Sequence, residues 1–417
     1  MAVEPGREAP PVDVRYGVGG RTGDLWVRRA RASDAWASTR EAILENDASN
    51  ATYPQYVVRA DGAYLWDVDG KRYTDFVLGY GPVVLGHCRP EVTAAVQAQQ
   101  AQAVCISPLW SPRQVELTER LVDIFPGAEQ AYLMRTGSDA TSAAVRLARI
   151  ATGRTKILKW GYNGWHDWTA PRPAGISPST AADTLHFKYN SIDSIAEAFA
   201  RHPGQIACVI LMTYDVEPVA DGFLHQARDL AHREGALFIL DEMRSGFRIA
   251  LGGAQEYFGI EADLATYSKA MANGYVISAV TGKRDIMQGL AQTHMSSTFY
   301  ANPPEMAAAL ATIDILEAER VPARLWTLGR RFQEGLRRVI TDSGLPAEVV
   351  GYPVAPFLLF DDHNANVKTA FYKAAVANGV LLHPNHQWYL SAAHTEDDID
   401  SSLDVCASAA QHAMRTI

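Results

Sequence analysis

Lysine is scarce in this chain of 417 residues, and one of its eight lysines stands where it could act as a nucleophile. Lys269 follows residues 263–268, which are predicted to form a strand, and precedes a loop that contains Gly274. An amine shielded from water loses its preference for the charged form and can then attack a carbonyl carbon. Because most lysines are solvated surface charges, the position alone leaves that alternative open.

An acidic pair stands at the end of a second predicted strand. Asp241 and Glu242 follow the apolar run 236–240. A buried carboxylate at the carboxyl end of a strand can hold a cationic group of a ligand. A helix cap or a salt bridge would use the same two residues structurally, and both interpretations stay open at this point.

Two further segments follow predicted strands and could bind a ligand. Thr136, Gly137 and Ser138 precede a predicted helix, where free backbone N–H groups and hydroxyls attract anions and a glycine permits close approach. Tyr162, in the next segment, could stack on a flat ring. The structural alternatives are ordinary helix capping for the first segment and a turn with core aromatics for the second.

The elements that must position these residues alternate between strands and helices, which is typical of a mostly parallel α/β sheet covered on both faces. Ligands bind such sheets at the carboxyl ends of the strands, where all four signals lie. The predicted strands are 131–134, 156–160, 184–187, 206–212, 236–240 and 264–267, and the helices between them are 140–152, 192–201 and 224–234.

Composition excludes several classes of protein. The net charge of −9 argues against a nucleic-acid-coating protein, which would be basic. No apolar run approaches the roughly 20 residues that cross a bilayer, so no membrane association is expected. The four cysteines form no closely spaced pair, and no signal peptide is visible, so we expect a reduced, cytoplasmic protein without a metal site.

The four signals together describe the requirements of one cofactor. Pyridoxal 5'-phosphate needs an anion site for its phosphate, a face partner for its ring, a carboxylate that keeps its pyridine nitrogen protonated, and a lysine for its aldehyde. The sequence therefore predicts a pyridoxal-phosphate site.

From about Ala63 onward the chain resembles the class III (fold type I) pyridoxal-phosphate aminotransferases, and within them the glutamate-1-semialdehyde aminomutase branch most closely. The resemblance rests on the ordered segments GAYLWDVDGKRYTDF, GYGPVVLGHCRPEV, TGSDA, GYNGWHD, ILDEMRSGFRIALGG, DLATYSK, GKRDIM, STFYANP and AHTEDDID. We expect a small domain formed by 31–80 and 306–417 and a large cofactor-binding domain over 81–305. Residues 1–30, rich in Pro, Gly, Arg and Asp, are expected to form an N-terminal arm.

The resemblance also implies a role for individual residues. Lys269 would bond to the cofactor aldehyde and act as general acid and base, and Asp241 would hold the ring nitrogen. Thr136, Gly137 and Ser138 match the phosphate-binding segment of the family.

Three further matches concern the ring, the partner subunit and a supporting residue. Tyr162 matches the ring-stacking aromatic, and Glu217 matches an acid that supports the cofactor site. Thr298 matches a threonine that contacts the phosphate of the neighbouring subunit, which implies a homodimer with shared active sites.

The chain departs from the aminomutase branch around the substrate. Residues 50–54 carry no arginine where that branch has one that holds the substrate carboxylate, and Asn163 replaces the usual histidine between Tyr162 and Gly164. We expect a different substrate, contacted by Trp110, Arg244 and Trp388, with His383 and His386 nearby; packing is the alternative role for the aromatics, and pairing with Glu242 the alternative for Arg244.

These expectations favour an aminotransferase that exchanges amino and carbonyl groups between an amino donor and a small-molecule acceptor of specialised metabolism. An aminomutase or epimerase with the same cofactor is the second interpretation. A non-catalytic binding protein on the same scaffold is the third, and intact Lys269 and Asp241 argue against it.

Overall fold

The computed structural model describes residues 22–35, 53–54, 56–172, 174–300 and 302–415. Residues 1–21 of the predicted arm and residues 50–52 of the departing segment lie outside the described residues. Residues 22–30 belong to the first described helix.

The described helices and strands follow in chain order. The helices are α1 (Thr22–Ser33), α2 (Pro90–Gln100), α3 (Pro112–Ile124), α4 (Gly137–Thr152), α5 (Pro178–Ala182), α6 (Ile192–Arg201), α7 (Phe223–Arg233), α8 (Gly253–Phe258), α9 (Arg284–Met287), α10 (Pro303–Ala318), α11 (Val321–Ser343), α12 (Ala365–Ala377) and α13 (Glu396–Met414). The strands are β1 (Val57–Asp61), β2 (Tyr64–Asp67), β3 (Arg72–Asp75), β4 (Gln130–Met134), β5 (Lys156–Trp160), β6 (Thr184–His186), β7 (Ile206–Met212), β8 (Leu237–Asp241), β9 (Leu264–Tyr267), β10 (Ser278–Gly282), β11 (Ala347–Val350), β12 (Phe357–Phe360) and β13 (Val380–Leu381).

A seven-stranded sheet in the order β4-β10-β9-β8-β7-β5-β6 forms the centre of the molecule. Strands β6, β5, β7, β8 and β9 pair in parallel, and β10 runs antiparallel to both of its neighbours. This arrangement confirms the predicted mostly parallel sheet. The six predicted strands of the sheet are all present, with ends shifted by one residue at most.

Alternate side chains of the sheet enter two different cores, as the two-residue period of a strand requires. On β7, Cys208 and Ile210 pack into the core that contains α4, whereas Val209 and Leu211 pack into the core that contains α7. Every residue of β7 is buried. A strand buried on both faces explains its uninterrupted apolar sequence.

Strand β10 was not predicted from the sequence. All five of its residues are buried, but Ser278, Thr281 and Gly282 interrupt the apolar pattern that identifies a strand. A Cβ atom on Gly282 would lie 2.4 Å from Leu264 Cδ2, so close packing against β9 favours glycine at this position. That glycine is one of the residues that make β10 difficult to recognise as a strand from the sequence.

Two smaller sheets lie outside the central one. Strands β1, β2 and β3 form an antiparallel sheet that β13 extends in parallel, and β11 pairs with β12. Residues 380–381 thus join a sheet built from residues 57–75.

The predicted domain boundaries stay a prediction. Among the described helices, none combines the length and apolar character that a bilayer crossing requires.

Helix α11 contains two glycines at which an added side chain would clash with different kinds of atom: backbone atoms at Gly329 and side-chain atoms at Gly335. A Cβ on Gly329 would lie 1.9 Å from the Pro353 carbonyl oxygen, and a Cβ on Gly335 would lie 2.2 Å from Leu403 Cδ1. Glycine to alanine in a helix ordinarily gains about 1 kcal/mol. We expect Gly329→Ala to lower the free energy of unfolding by about 2 kcal/mol, because the backbone must move.

Gly335→Ala is the matched control, since the partly exposed Leu403 side chain has room to rotate. We expect it to cost less than Gly329→Ala in urea unfolding. Equal stability of Gly329→Ala and the wild-type protein would contradict this packing of α11.

Candidate active site

The carboxyl ends of five strands meet at one cavity of about 590 Å³. The segments after β4, β5, β8 and β9 contribute most of its wall, and β7 contributes its last residue. Loops from distant parts of the chain close the cavity. The lining residues are Tyr80, Gly137, Ser138, Thr141, Tyr162, Asn163, Gly164, Met212, Asp241, Met243, Arg244, Ser268, Lys269, His383, Asn385 and His386.

Lys269 lies at the turn that follows β9. It begins the short 3-10 helix Lys269–Ala272 with a left-handed φ of 41°, so the chain turns sharply at the lysine. Its Nζ donates a hydrogen bond of 2.8 Å to the carbonyl oxygen of Tyr80. Burial lowers the pKa of Lys269 to about 7, and the cationic Arg244 acts in the same direction while Asp241 opposes it. A substantial fraction of the amine is therefore neutral near pH 7, and the neutral form is the one that acts as a nucleophile.

Asp241 is the last residue of β8 and is 1% exposed. Burial raises the pKa of its carboxyl group, and hydrogen bonds from Asn163 Nδ2 (2.8 Å) and the Met243 N–H (3.1 Å) oppose that rise. A buried carboxylate supported in this way is stabilised further by a cationic ligand group.

Glu242 has a structural role that differs from that of its neighbour. It accepts hydrogen bonds from the Ser245 hydroxyl and from the N–H groups of Ala254 (2.8 Å) and Gln255 (3.0 Å) near the start of α8. Burial raises the pKa of Glu242 to about 7. Asp241 therefore lines the cavity, whereas Glu242 accepts hydrogen bonds from the start of α8 and holds that helix in place.

The start of α4 lies at the cavity, where Gly137 and Ser138 form part of the wall. Thr136 caps the helix and forms a capping box with Asp139, which leaves the first N–H groups of α4 beside the cavity. Ser138 Oγ accepts a hydrogen bond of 3.2 Å from the Trp165 N–H. A Cβ on Gly164 would lie 2.5 Å from Ser138 Oγ, and one on Gly137 would lie 2.9 Å from Met243 Sδ. Gly164 also has a left-handed φ of 116°, so a side chain there would be strained, whereas at Gly137 the flexible Met243 side chain would have to move.

Tyr162 and Asn163 follow β5 and differ sharply in exposure. Tyr162 is 54% exposed at the mouth of the cavity, whereas Asn163 is 1% exposed. The Asn163 carbonyl oxygen accepts a hydrogen bond of 2.6 Å from the Thr141 hydroxyl. Its side-chain Oδ1 has no hydrogen-bond partner among the described residues, although it is buried. The substitution of the family histidine thus keeps a donor toward Asp241.

Arg244 pairs with Asp215 and not with Glu242. Its Nη1 lies 2.6 Å from Asp215 Oδ1 and 3.1 Å from Gln387 Oε1. Pairing with Glu242, the alternative role expected for Arg244, does not occur, because the Glu242 oxygens accept hydrogen bonds from Ser245 and from the start of α8. The partner Asp215, in the loop after β7, was not identified from the sequence.

The structure corrects the expectation that Trp388 contacts a substrate. Its ring is fully buried against aromatic side chains that include Phe332, Phe357 and Tyr372. Its indole N–H donates a hydrogen bond of 2.8 Å to the His383 carbonyl oxygen. Trp388 therefore supports the loop that carries His383 from behind, which is the packing alternative.

Four other predicted residues do not line the cavity of their own chain, and one of them, Thr136, uses its hydroxyl to cap α4. Trp110 is 80% exposed, and Glu217 lies on the surface where it accepts a hydrogen bond from Asn190 Nδ2 at 2.9 Å. This corrects the expectation that Glu217 belongs to the cofactor site. Thr298 is exposed, and its carbonyl oxygen lies 3.9 Å from Cys105 Sγ. Its predicted role in a neighbouring subunit stays a prediction.

The substrate side of the cavity comes from two loops far apart in the chain. The hydroxyl of Tyr80 lies 3.4 Å from His383 Nε2, and the ring centroids of Tyr80 and His386 are 4.8 Å apart. Both histidines were predicted to lie near the substrate, whereas Tyr80 was not predicted. Tyr80 lies in a series of turns and has a left-handed φ of 67°. Tyrosine rarely adopts this conformation, so its residue type does not predict it.

These residues fit the needs of pyridoxal phosphate. The phosphate fits the start of α4, where glycines leave room for it, and the buried Asp241 would hold the ring nitrogen. The unpartnered Oδ1 of Asn163 offers a further acceptor beside that carboxylate. Within the described residues no cluster of three metal-binding side chains occurs, which agrees with the expected absence of metal ligands without testing it.

Comparison with known proteins gives a family. Residues 46–396 match the family model for the class-III aminotransferases. The 3-aminobutyryl-CoA aminotransferase of Cloacimonas acidaminovorans is 38% identical over 364 residues, which cover 84% of this chain and 88% of that protein. A glutamate-1-semialdehyde 2,1-aminomutase of Thermomicrobium roseum is 36% identical over 390 residues, covering 85% and 90%.

A solved structure agrees with these relatives. The FumI protein of Sphingopyxis sp. MTA144, in its PLP internal aldimine form, superposes with a TM-score of 0.89 at 31% identity and covers 95% of this chain and 97% of that one. The predicted family, fold class and cofactor are confirmed. The chain belongs to the class-III aminotransferases and uses pyridoxal phosphate.

Proposed function

We propose that this enzyme transfers an amino group between an amino donor and a carbonyl acceptor, with Lys269 and Asp241 as its catalytic residues. The supporting observation is that these two side chains, 28 positions apart, line one cavity beside the start of α4. Pyridoxal phosphate, when bound, supplies an aldehyde that takes up the amino group and a ring that accepts electrons from the breaking bond.

Lys269 has the properties of a proton carrier. Burial and Arg244 lower the pKa of its amine to about 7, so a substantial fraction is neutral near pH 7 and can accept a proton from the substrate carbon and later return it. The carbonyl oxygen of Tyr80 receives the amine at 2.8 Å and holds it at the cavity wall. Two N–H donors favour the anionic form of Asp241 against the effect of burial, and a protonated ring nitrogen would be its natural partner.

An aminomutase or epimerase is the second candidate, since one relative carries an aminomutase name. A mutase needs no separate amino donor, whereas a transferase stops after one half-reaction without an acceptor. Conversion of the bound cofactor to its amine form by L-glutamate or L-alanine, reversed by a ketone, favours the transferase. A non-catalytic binding protein would show no conversion.

We also propose a homodimer with shared active sites. Exposed apolar side chains occur on the segment 104–115 and beside Thr298, and the contact between Cys105 and Thr298 brings the two segments together. Such a patch fits a second copy of the chain. Its exposed members are Val104, Leu109, Trp110, Val115 and Phe299.

A reducing, cytoplasmic location is supported by the cysteines. All four are free thiols, two exposed and two buried. Burial raises the pKa of Cys208 and of Cys406 to about 12, so these thiols behave as apolar core groups. Disulfides persist mainly in oxidising compartments.

Replacing the nucleophile tests the central assignment. We expect Lys269→Ala to lose the visible absorbance of the lysine-bound cofactor and to lower turnover by about 10³-fold or more, because tether and proton carrier disappear together. Absorbance spectra and steady-state rates check this. Lys188→Ala, at an exposed position, is the control and should match the wild type. Full activity of Lys269→Ala would refute the assignment.

Asn163 is a positioning residue for Asp241. We expect Asn163→Leu to lower kcat by about 10–100-fold with little change in KM, since the carboxylate loses a charge-assisted hydrogen bond of about 1.5–3 kcal/mol. Asn163→His restores a ring N–H and should recover most of the rate. A purely structural role predicts equal losses for both variants, with lower melting temperatures.

Mixed dimers test the role of Thr298. Lys269→Ala and Thr298→Ala subunits are each expected to bind or use the cofactor poorly. In a shared-site dimer, the heterodimer contains one site with both native residues, so random mixing restores about a quarter of the wild-type sites. Activity at limiting cofactor, measured after subunit exchange, checks this. No restoration would place Thr298 outside the partner's site.

A further inference from the structure

The cation at the substrate side of the cavity is already matched by an anion of the same chain. Arg244 is 13% exposed, and its Nη1 contacts both Asp215 Oδ1 and Gln387 Oε1. Gln387 is 2% exposed, so that side of the guanidinium is held from within the protein. A substrate carboxylate approaching Arg244 would lie beside the carboxylate of Asp215 and meet its repulsion.

The rest of the wall is neutral and forms hydrogen bonds. Burial lowers the pKa of His386 to about 3, with Arg244 and Lys269 acting in the same direction, so its imidazole is uncharged at neutral pH. Tyr80, His383 and Asn385 complete this side of the cavity. These neutral groups can donate hydrogen bonds to a substrate hydroxyl and accept hydrogen bonds from it. They carry no positive charge that could neutralise a substrate carboxylate in addition to Asp215.

From this arrangement we infer that Asp215 is a specificity residue that occupies Arg244 in place of a substrate carboxylate. The cavity thereby favours amines and carbonyl compounds that carry a hydroxyl group, and no carboxylate, next to the reacting carbon. This inference rests on the proposed aminotransferase function and names its substrate class. Amino acids remain usable as donors, at a cost set by displacing Asp215 from Arg244.

A matched pair of amines tests the substrate class. L-Alaninol and L-alanine differ only in a hydroxymethyl group against a carboxylate. We expect the wild-type holoenzyme to convert its cofactor to the amine form with a higher kcat/KM for L-alaninol. Asp215→Asn keeps the shape and removes the charge, and it should shift the ratio toward L-alanine by about tenfold or more.

Asp221→Asn is the control, because Asp221 is exposed and lies outside the contacts of Arg244. It makes the same change in net charge and should leave the ratio unchanged. Preference of the wild type for L-alanine, or an unchanged ratio in Asp215→Asn, would overturn the inference.

Binding of an unreactive carboxylate provides a readout that does not need turnover. We expect propionate to bind the Asp215→Asn holoenzyme about tenfold more tightly than the wild type. The double variant Asp215→Asn/Arg244→Gln should lose this gain in affinity. Calorimetry measures both affinities. Weaker binding to Asp215→Asn would mean that Asp215 orients Arg244 toward carboxylates, which contradicts the inference.

The two experiments separate this inference from the proposed function. If no amine converts the cofactor in the wild-type enzyme, the aminotransferase proposal fails. The propionate titration still decides whether Asp215 excludes carboxylates from Arg244.

Discussion

The structure of the site depends on a buried carboxylate at the end of β8. Asp241 is almost fully buried, which alone would favour its neutral form. Two N–H donors oppose that tendency, one from the backbone of Met243 and one from the side chain of Asn163. A buried anion of this kind is stable only with further positive charge nearby. A protonated ring nitrogen of the cofactor would supply that charge.

Electrostatics link this carboxylate to the lysine across the cavity. Asp241 favours the charged form of Lys269, while burial, Arg244 and Arg248 favour the neutral form, and the balance places the pKa of Lys269 near 7. Arg244, which is paired with Asp215, therefore belongs to the environment that sets the protonation state of Lys269.

The cofactor side of the site could be predicted from the sequence because each part follows its own strand locally. Lys269, Asp241 and the start of α4 are all found by locating a strand end and reading the next residues. Asn163 was visible as a departure from the family, but its bond to Asp241 joins residues 78 positions apart. Strand β10 escaped because packing against β9 requires small and polar residues there.

The substrate side could not be predicted in the same way, since long-range loop contacts create it. Arg244 meets Gln387 across 143 positions, and Tyr80 meets His383 across 303. Trp388 illustrates the error that follows: an aromatic residue beside a histidine-rich loop indicated a substrate contact, yet its ring packs beneath that loop. Side-chain direction within a loop has no periodic signal in sequence. Cofactor chemistry is thus encoded locally in this fold, and substrate choice is encoded by which distant loops meet.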